Sequence, residues 1–171
     1  MYRQNFASLK TLILIRHAKS DWNAPSLGDF DRPLNERGKR DAPVMAQRLL
    51  DRKIKIDAFI SSPAKRAKKT ATVFAEAYKK DKDDLVLVEE LYGAEEEAFF
   101  KAIADVKKSH DTIAVFSHNP GITAFANLLS DTRIDNIPTC GVFAVKIHAD
   151  KWSEVKDAKK EFLFFDFPKA E

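Results

Sequence analysis

The stretch TLILIRHA, residues 11–18, runs from a short apolar segment directly into an arginine and a histidine. Continuous runs of β-branched residues and leucine are typical of strands that a parallel sheet buries on both faces. Ligands of open α/β sheets bind in the crevice beyond the carboxyl ends of such strands. The stretch therefore predicts a buried strand that delivers His17 to a ligand-binding edge, where an imidazole can act as a nucleophile.

Short apolar runs alternate with longer amphipathic stretches along the rest of the chain. Four runs predict strands, and the stretches after them predict helices with apolar residues at helical spacing. Such an alternation forms right-handed βαβ units and a mostly parallel sheet with helices on both faces. The predicted strands are 11–15, 57–61, 85–88 and 112–116, and the predicted helices are 35–52, 63–78, 94–106 and one that begins at Pro120.

The last part of the chain contains two further apolar runs, 141–147 and 162–167. We expect them to form an antiparallel pair at one edge of the sheet. The predicted fold class is therefore an α/β three-layer sandwich with a mostly parallel sheet and an antiparallel C-terminal edge. Pro43 lies inside the first predicted helix, so that helix should begin late or kink there.

Composition limits the classes of protein to which the chain can belong. Its 171 residues suit a single domain, in which we expect residues 1–10 to be a short N-terminal extension. The net charge is only +3, with the two signs interspersed, which argues against nucleic acid or a membrane as the partner. Cys140 is the only cysteine, and no apolar run is long enough for a signal peptide or a span. We therefore expect a cytoplasmic protein.

Residues with related chemistry follow three of the predicted strands. Arg16 and His17 come after the first strand, Arg66 lies at the start of the helix after the second, and His118 follows the fourth. Because the carboxyl ends of parallel strands lie at one edge of a sheet, we expect these side chains to converge. Two arginines and two histidines would form a pocket for a dianionic, tetrahedral group.

Phosphoryl transfer explains this choice of residues. Its transition state spreads negative charge over three equatorial oxygens, which positioned cations stabilise. Arg16 and Arg66 can each donate two N–H groups to these oxygens, and a protonated His118 would add a further donor. Neighbouring cations are expected to lower the pKa of His17, which keeps its ring neutral and nucleophilic at neutral pH.

Each of these residues, taken alone, also has a structural explanation. An arginine in the first turn of a helix usually lies on a solvated face, and His118 could simply cap the helix that follows it. Their occurrence together at successive strand ends, with both residue types in duplicate, favours the phosphate pocket.

Several motifs resemble those of the histidine phosphatase superfamily, also called phosphoglycerate mutase-like. Residues 16–23, RHAKSDWN, are similar to its signature opening Arg-His-Gly, with Ala18 in place of the glycine. Later blocks match in order: residues 31–34 with Gly38, Ser62 and Pro63 with Arg66, and residues 117–121. The resemblance covers about residues 11–130 and is closest to the SixA-like phosphohistidine phosphatase group.

The resemblance implies a role for each residue of the pocket. His17 would become transiently phosphorylated during turnover. Arg16 and Arg66 would bind the phosphoryl oxygens, and His118 would complete the pocket.

The resemblance also implies less specific roles outside these four residues. It places Asn23 and Ser62 among the substrate-binding residues. Relatives that cleave phosphomonoesters use a carboxylic acid after the third strand to protonate the leaving group, and Glu89 is the first candidate, with Glu90 the second. The same two glutamates could equally form a solvated acidic turn.

The predicted activity is that of a metal-independent phosphatase that works through a covalent phosphohistidine on His17. Its substrate would be phosphohistidine on a protein or a small phosphomonoester. The alternatives are a phosphoglycerate mutase-like phosphotransferase and a non-catalytic module that binds a phosphorylated ligand. No histidine pair has the i, i+4 spacing of a metal-binding helix, so neither a metal nor another cofactor is predicted.

Overall fold

The computed structural model describes residues 8–170, which contain one six-stranded sheet. The strands are β1 (Leu9–Arg16), β2 (Ala58–Ser61), β3 (Leu85–Leu87), β4 (Thr112–Ser117), β5 (Val142–His148) and β6 (Lys160–Asp166). They lie in the order β3-β2-β4-β1-β5-β6. The first four strands in the chain are parallel, β5 is antiparallel to β1, and β6 is antiparallel to β5. The predicted fold class, with its antiparallel C-terminal edge, is confirmed.

Strand β1 occupies the middle of the sheet, between β4 and β5. Its residues 12–15 are fully buried and alternate between the hydrophobic clusters on the two faces. This double burial is what the continuous apolar run predicts. Arg16 pairs with Ser117 of β4, and Ser61 of β2 pairs with Phe116 of β4, so that three strands end at the same level.

Four helices form the two outer layers. Helices α1 (Glu36–Asp51) and α2 (Lys65–Ala77) pack on one face of the sheet, and α3 (Glu96–Ala104) and α4 (Gly121–Leu129) pack on the other. Alanine and larger apolar side chains at helical spacing point into both clusters, as the sequence periodicity predicts. The layers leave the carboxyl edge of the parallel strands open.

Helix α1 begins at Glu36 and includes Pro43. The side chain of Asn35 caps it by accepting a hydrogen bond from the backbone N–H of Gly38 at 2.9 Å. The expectation of a late start is therefore wrong, because this cap fixes the start well before the proline, which is exposed. Gly38 also permits a close approach to the loop after β1, since a Cβ there would lie 2.1 Å from the carbonyl oxygen of Lys19.

The start of β1 overlaps the expected N-terminal extension. Leu9 and Lys10 belong to the strand, and residues 1–7 of the extension lie outside the described residues. Lys10 is buried and its Nζ pairs with Asp111 at 2.8 Å. None of the helices within residues 8–170 combines the length and the apolar character that a bilayer crossing requires.

Candidate active site

The three strand ends border a cavity of about 360 Å³ at the carboxyl edge of the sheet. Arg16, His17 and Arg66 line it, and the ring centroid of His118 lies 5.2 Å from that of His17. The structure thus brings together the four residues predicted to form a pocket. The lining consists of Arg16, His17, Lys19, Ser20, Trp22, Asp29, Arg32, Arg66, Asn119 and Thr139.

His17 is held with one ring nitrogen free to react. Its Nδ1 lies 2.8 Å from the carbonyl oxygen of Ala18, which can only accept, so the ring proton is assigned to Nδ1. Nε2 therefore keeps its lone pair and accepts a hydrogen bond from Nε of Arg66 at 3.3 Å. Burial, followed by the charges of the neighbouring histidine and arginines, lowers the pKa of His17 to about 3. The ring is neutral and nucleophilic at neutral pH.

Arg16 uses only some of its hydrogen-bond donors within the described residues. Arg16 donates from Nη1 to the carbonyl oxygen of Ile137 at 2.9 Å, and its buried Nε has no partner among the described residues. Burial and the nearby charge of Arg66 lower the pKa of Arg16. A guanidinium with unused donors beside a cavity suits an anionic ligand.

His118 is fixed by Ser62 and packs against the aromatic ring of Tyr92. Nε2 of His118 lies 2.7 Å from Oγ of Ser62, which is fully buried. Nδ1 has no partner among the described residues. Burial, followed by the charge of Arg66, lowers the pKa of His118 to about 4. His118 is therefore uncharged at neutral pH, so it does not supply the further cationic donor expected from the sequence.

Asp29 is the one acidic residue among the described residues that line the cavity, and the sequence does not identify it as a site residue. It belongs to the 3₁₀ turn Asp29–Asp31. Oδ1 accepts from Nε and Nη2 of Arg32 at 3.1 and 3.0 Å, and Oδ2 accepts from Nη2 of Arg66 at 3.0 Å and from the Tyr92 hydroxyl at 2.8 Å. Partial burial alone would raise the pKa of Asp29, but these hydrogen bonds and arginine charges lower it to about 2. Asp29 is ionised at neutral pH.

Aromatic rings surround the mouth of the cavity. Tyr92 packs edge-on against His118, with centroids 5.6 Å apart, and against Phe30, with centroids 5.1 Å apart. Trp22 lines the cavity beneath the guanidinium of Arg32, which lies 3.6 Å from the ring centroid. Trp22 therefore adds an aromatic face to a largely polar lining.

The segment that precedes β5 also contributes to the site and is not evident from the sequence. The carbonyl of Ile137 accepts from Arg16, and Thr139 lines the cavity. The N–H of Cys140 donates to the carbonyls of both Arg16 and His17. Cys140 is fully buried, and burial raises the pKa of its thiol, which disfavours the reactive thiolate.

Sequence comparison assigns the chain to a family. Residues 12–101, just over half of the chain, match the profile of the histidine phosphatase superfamily, branch 1. The chain belongs to this superfamily. The match includes the loops that carry His17, Asp29 and Arg66.

Relatives of the chain extend the similarity beyond the matched segment. An uncharacterized chloroplastic protein of Arabidopsis thaliana is 31% identical over 153 residues, which cover 85% of this chain and 70% of that protein. Phosphoserine phosphatase 1 of Hydrogenobacter thermophilus is 46% identical over 68 residues, 39% of this chain and 31% of that protein. Among solved structures, the protein histidine phosphatase SixA complexed with tungstate has a TM-score of 0.79 and 18% identity, over 92% of this chain and 97% of that one. The fold of the chain is SixA-like.

The structure leaves the other predicted site residues outside the cavity. Asn23 is exposed and lines a neighbouring cavity of about 650 Å³. Glu89 is exposed on the 3₁₀ turn Glu89–Leu91, and Glu90 borders a different cavity of about 560 Å³ beside α3. Ser62 contacts His118 rather than the cavity. Roles for Asn23 and Glu89 in substrate binding and proton transfer stay predictions.

The buried histidines predict a loss of stability in mild acid. Burial lowers the pKa of His17 from 6.5 to about 3 and that of His118 from 6.5 to about 4. Between these values the unfolded chain binds more protons than the folded one, so the free energy of unfolding falls as the pH falls. At pH 5 we expect a loss of about 2 kcal/mol per histidine relative to pH 7.

Urea denaturation at pH 7 and pH 5 measures this difference. The double variant His17→Gln/His118→Gln should show a much smaller difference, because carboxylates are largely ionised in both states over this range. The same pH dependence in the parent and the double variant would show that other groups are responsible.

Proposed function

We propose that this chain is a phosphatase that transfers a phosphoryl group from its substrate to Nε2 of His17 and then to water. We propose phosphohistidine on a protein as the substrate. The superfamily assignment and the SixA-like fold support the reaction class. The neutral, oriented ring of His17 beside the half-buried Arg16 and the buried Arg66 supports the covalent route.

In the first step, Nε2 of His17 attacks the phosphorus. The bond between phosphorus and the substrate imidazole nitrogen breaks, and the electron pair stays on that nitrogen, which takes up a proton from solvent. Nε of Arg66 moves its hydrogen bond from Nε2 to a phosphoryl oxygen, and the unused Nε–H of Arg16 binds another. The charge that develops on the equatorial oxygens therefore meets donors that are already in place.

In the second step, water attacks the phosphorus of phosphorylated His17 and loses a proton to solvent. The bond between phosphorus and Nε2 breaks, its electron pair returns to Nε2, and inorganic phosphate leaves. The ring of His118 has its centroid 5.2 Å from that of His17, and its Nδ1, which has no partner among the described residues, can exchange a hydrogen bond with a phosphoryl oxygen or the incoming water.

The choice of substrate rests on the ionisation state of Asp29. Asp29 is the one carboxylate that lines the cavity within the described residues, and it is ionised and bound to both Arg32 and Arg66. It is therefore not a proton donor for a leaving group. An imidazole nitrogen leaves with much less assistance from an acid than an alkoxide does, so the site fits phosphohistidine better than an alkyl phosphate.

A substrate panel tests this choice. The protein is assayed with EDTA present against a protein phosphorylated on histidine, phosphoserine and p-nitrophenyl phosphate, whose leaving group is already stable as an anion. We expect turnover of the first and third substrates, and a kcat/KM for phosphoserine lower by about 100-fold or more. Equal kcat/KM values for phosphoserine and the phosphohistidine protein would overturn the choice.

A phosphomonoester is the second candidate, favoured by the 46% identity to phosphoserine phosphatase 1 over 68 residues. It would require Glu89, or in its place Glu90, to reach the leaving group from the neighbouring turn. In that case Glu89→Gln or Glu90→Gln should strongly depress phosphoserine turnover and spare p-nitrophenyl phosphate. With phosphohistidine as substrate, both variants should keep kcat/KM within about twofold of the parent.

A further inference from the structure

The Arg66 guanidinium is held from two sides. On one side, its Nε donates to Nε2 of His17 at 3.3 Å. On the other side, Nη1 donates to the main-chain oxygen of Asp29 at 2.6 Å, and Nη2 donates to the Asp29 carboxylate at 3.0 Å. Arg66 is only 5% exposed, so few orientations of this side chain compete with the observed one.

Asp29 is itself held firmly. Arg32 donates twice to Oδ1, and the hydroxyl of Tyr92 donates to Oδ2. Arg32 also donates to Oγ of Ser20 and stacks on Trp22. A network of charge-assisted hydrogen bonds therefore fixes the carboxylate that meets Arg66.

The number of donors shows that Asp29 and a phosphoryl group can bind Arg66 together. A guanidinium has five N–H groups. One donates to His17 and two donate to Asp29, which leaves one N–H on each terminal nitrogen. Binding of substrate therefore does not require Arg66 to release Asp29.

We propose that Asp29 is a positioning residue, which holds the Arg66 guanidinium in place beside His17 before the phosphoryl group arrives. This inference rests on the proposed phosphatase function. Donors that are already oriented need no reorganisation during the reaction, which is why preorganised hydrogen bonds stabilise a transition state strongly. Without Asp29, Arg66 would have to lose its rotational freedom in each catalytic cycle.

The opposite role for Asp29 predicts the opposite result. A carboxylate that blocked the site in place of phosphate would have to leave before an oxyanion could bind. Its removal would then strengthen oxyanion binding, whereas removal of a positioning residue weakens it. Vanadate, an oxyanion that resembles the phosphoryl transition state, distinguishes these two roles.

The experiment compares Asp29→Asn with Asp31→Asn. Both substitutions remove one negative charge from the same 3₁₀ turn, but the Asp31 side chain makes no hydrogen bond or ion pair with other described residues. We expect Asp29→Asn to lower kcat/KM for p-nitrophenyl phosphate by about tenfold or more and to weaken vanadate binding by a similar factor. Asp31→Asn should change each by less than about twofold.

A double-mutant cycle shows whether Asp29 acts through Arg66. In an Arg66→Lys background, Asp29→Asn should cost less than about threefold, because the oriented guanidinium is already absent. Equal losses in both backgrounds, or tighter vanadate binding by Asp29→Asn, would overturn the inference. If Asp29→Asn does not fold, Tyr92→Phe takes its place, since it removes one donor to Asp29 from an exposed ring, and the same cycle applies.

Calorimetric titration with vanadate separates failure of this inference from failure of the proposed function. A parent protein that binds vanadate but turns over no substrate would refute the phosphatase proposal. The vanadate affinities of the Asp29 and Arg66 variants would still decide the role of Asp29, since they require no turnover.

Discussion

Substitution of His17 by alanine is expected to lower kcat by on the order of 10⁴-fold or more while the fold persists. The imidazole lies at the end of a buried strand, with Nδ1 bound to the carbonyl of Ala18 and Nε2 directed at Arg66. Among the described residues that line the cavity there is no other histidine and no cysteine, and the one carboxylate, Asp29, is bound to Arg32 and Arg66. No other lining histidine, cysteine or free carboxylate is therefore available as nucleophile.

The measurement combines steady-state rates with trapping of the intermediate. Substrate labelled on phosphorus is mixed with the parent enzyme and quenched within one turnover in alkaline detergent, because nitrogen–phosphorus bonds hydrolyse in acid. Peptide mapping should then place the label on His17. Circular dichroism of the His17→Ala variant checks that the fold is retained.

His148 supplies the control. It lies in β5 of the same sheet and pairs with Leu9 at the opposite end of β1, with its Nε2 3.3 Å from Oε2 of Glu161. His148→Ala should keep kcat within about twofold of the parent, as expected for a partly exposed residue remote from the site. Substantial activity in His17→Ala, or label on another residue, would refute the covalent mechanism.

The sheet and the convergence of the four pocket residues could be predicted because each depends on local patterns. A run such as residues 11–15 has one stable placement in a protein of this size, which is a strand buried on both faces. Once the strands are parallel, Arg16, Arg66 and His118 reach one edge whatever the loops do. The strand ends thus predict where these residues lie, and the resemblance of the motifs indicates which reaction they support.

Asp29 could not be predicted in the same way. The loop that carries it also contains Asp21 and Asp31, which lie in the motifs that resemble those of the family, whereas Asp29 lies in neither motif. Only the path of the loop brings Asp29, rather than its neighbours, within 3.0 Å of Arg66. The conformation of such a loop depends on contacts with distant elements, which periodicity and propensity do not encode.

The protonation state of His118 differs from the one expected from the sequence, for a different reason. The charge expected on His118 follows from residue type, but burial beside Ser62 and the positive field of Arg66 oppose that charge. Residue type predicts which groups are present in a site, whereas their ionisation depends on burial that only the folded structure shows. The cationic character of the pocket therefore rests on its arginines and Lys19 rather than on His118.

Arg66 is the arginine that donates a hydrogen bond directly to His17. Arg66→Lys keeps the positive charge but removes the planar group that donates in three fixed directions, to His17 and twice to Asp29. We expect a loss of roughly 30- to 1000-fold in kcat/KM, which corresponds to about 2–4 kcal/mol of transition-state stabilisation. The loss should appear mainly in kcat, because an ammonium still attracts the phosphate dianion to the site.

The matched control is Arg40→Lys, the same chemical change at an exposed position of α1. It should leave kcat/KM within about twofold of the parent, since exposed substitutions away from special contacts have small effects. A change below about threefold in Arg66→Lys would mean that charge alone suffices at this position. The transition state would then be stabilised without directional donors, and neither the fork of Arg66 nor its fixation by Asp29 would contribute to catalysis.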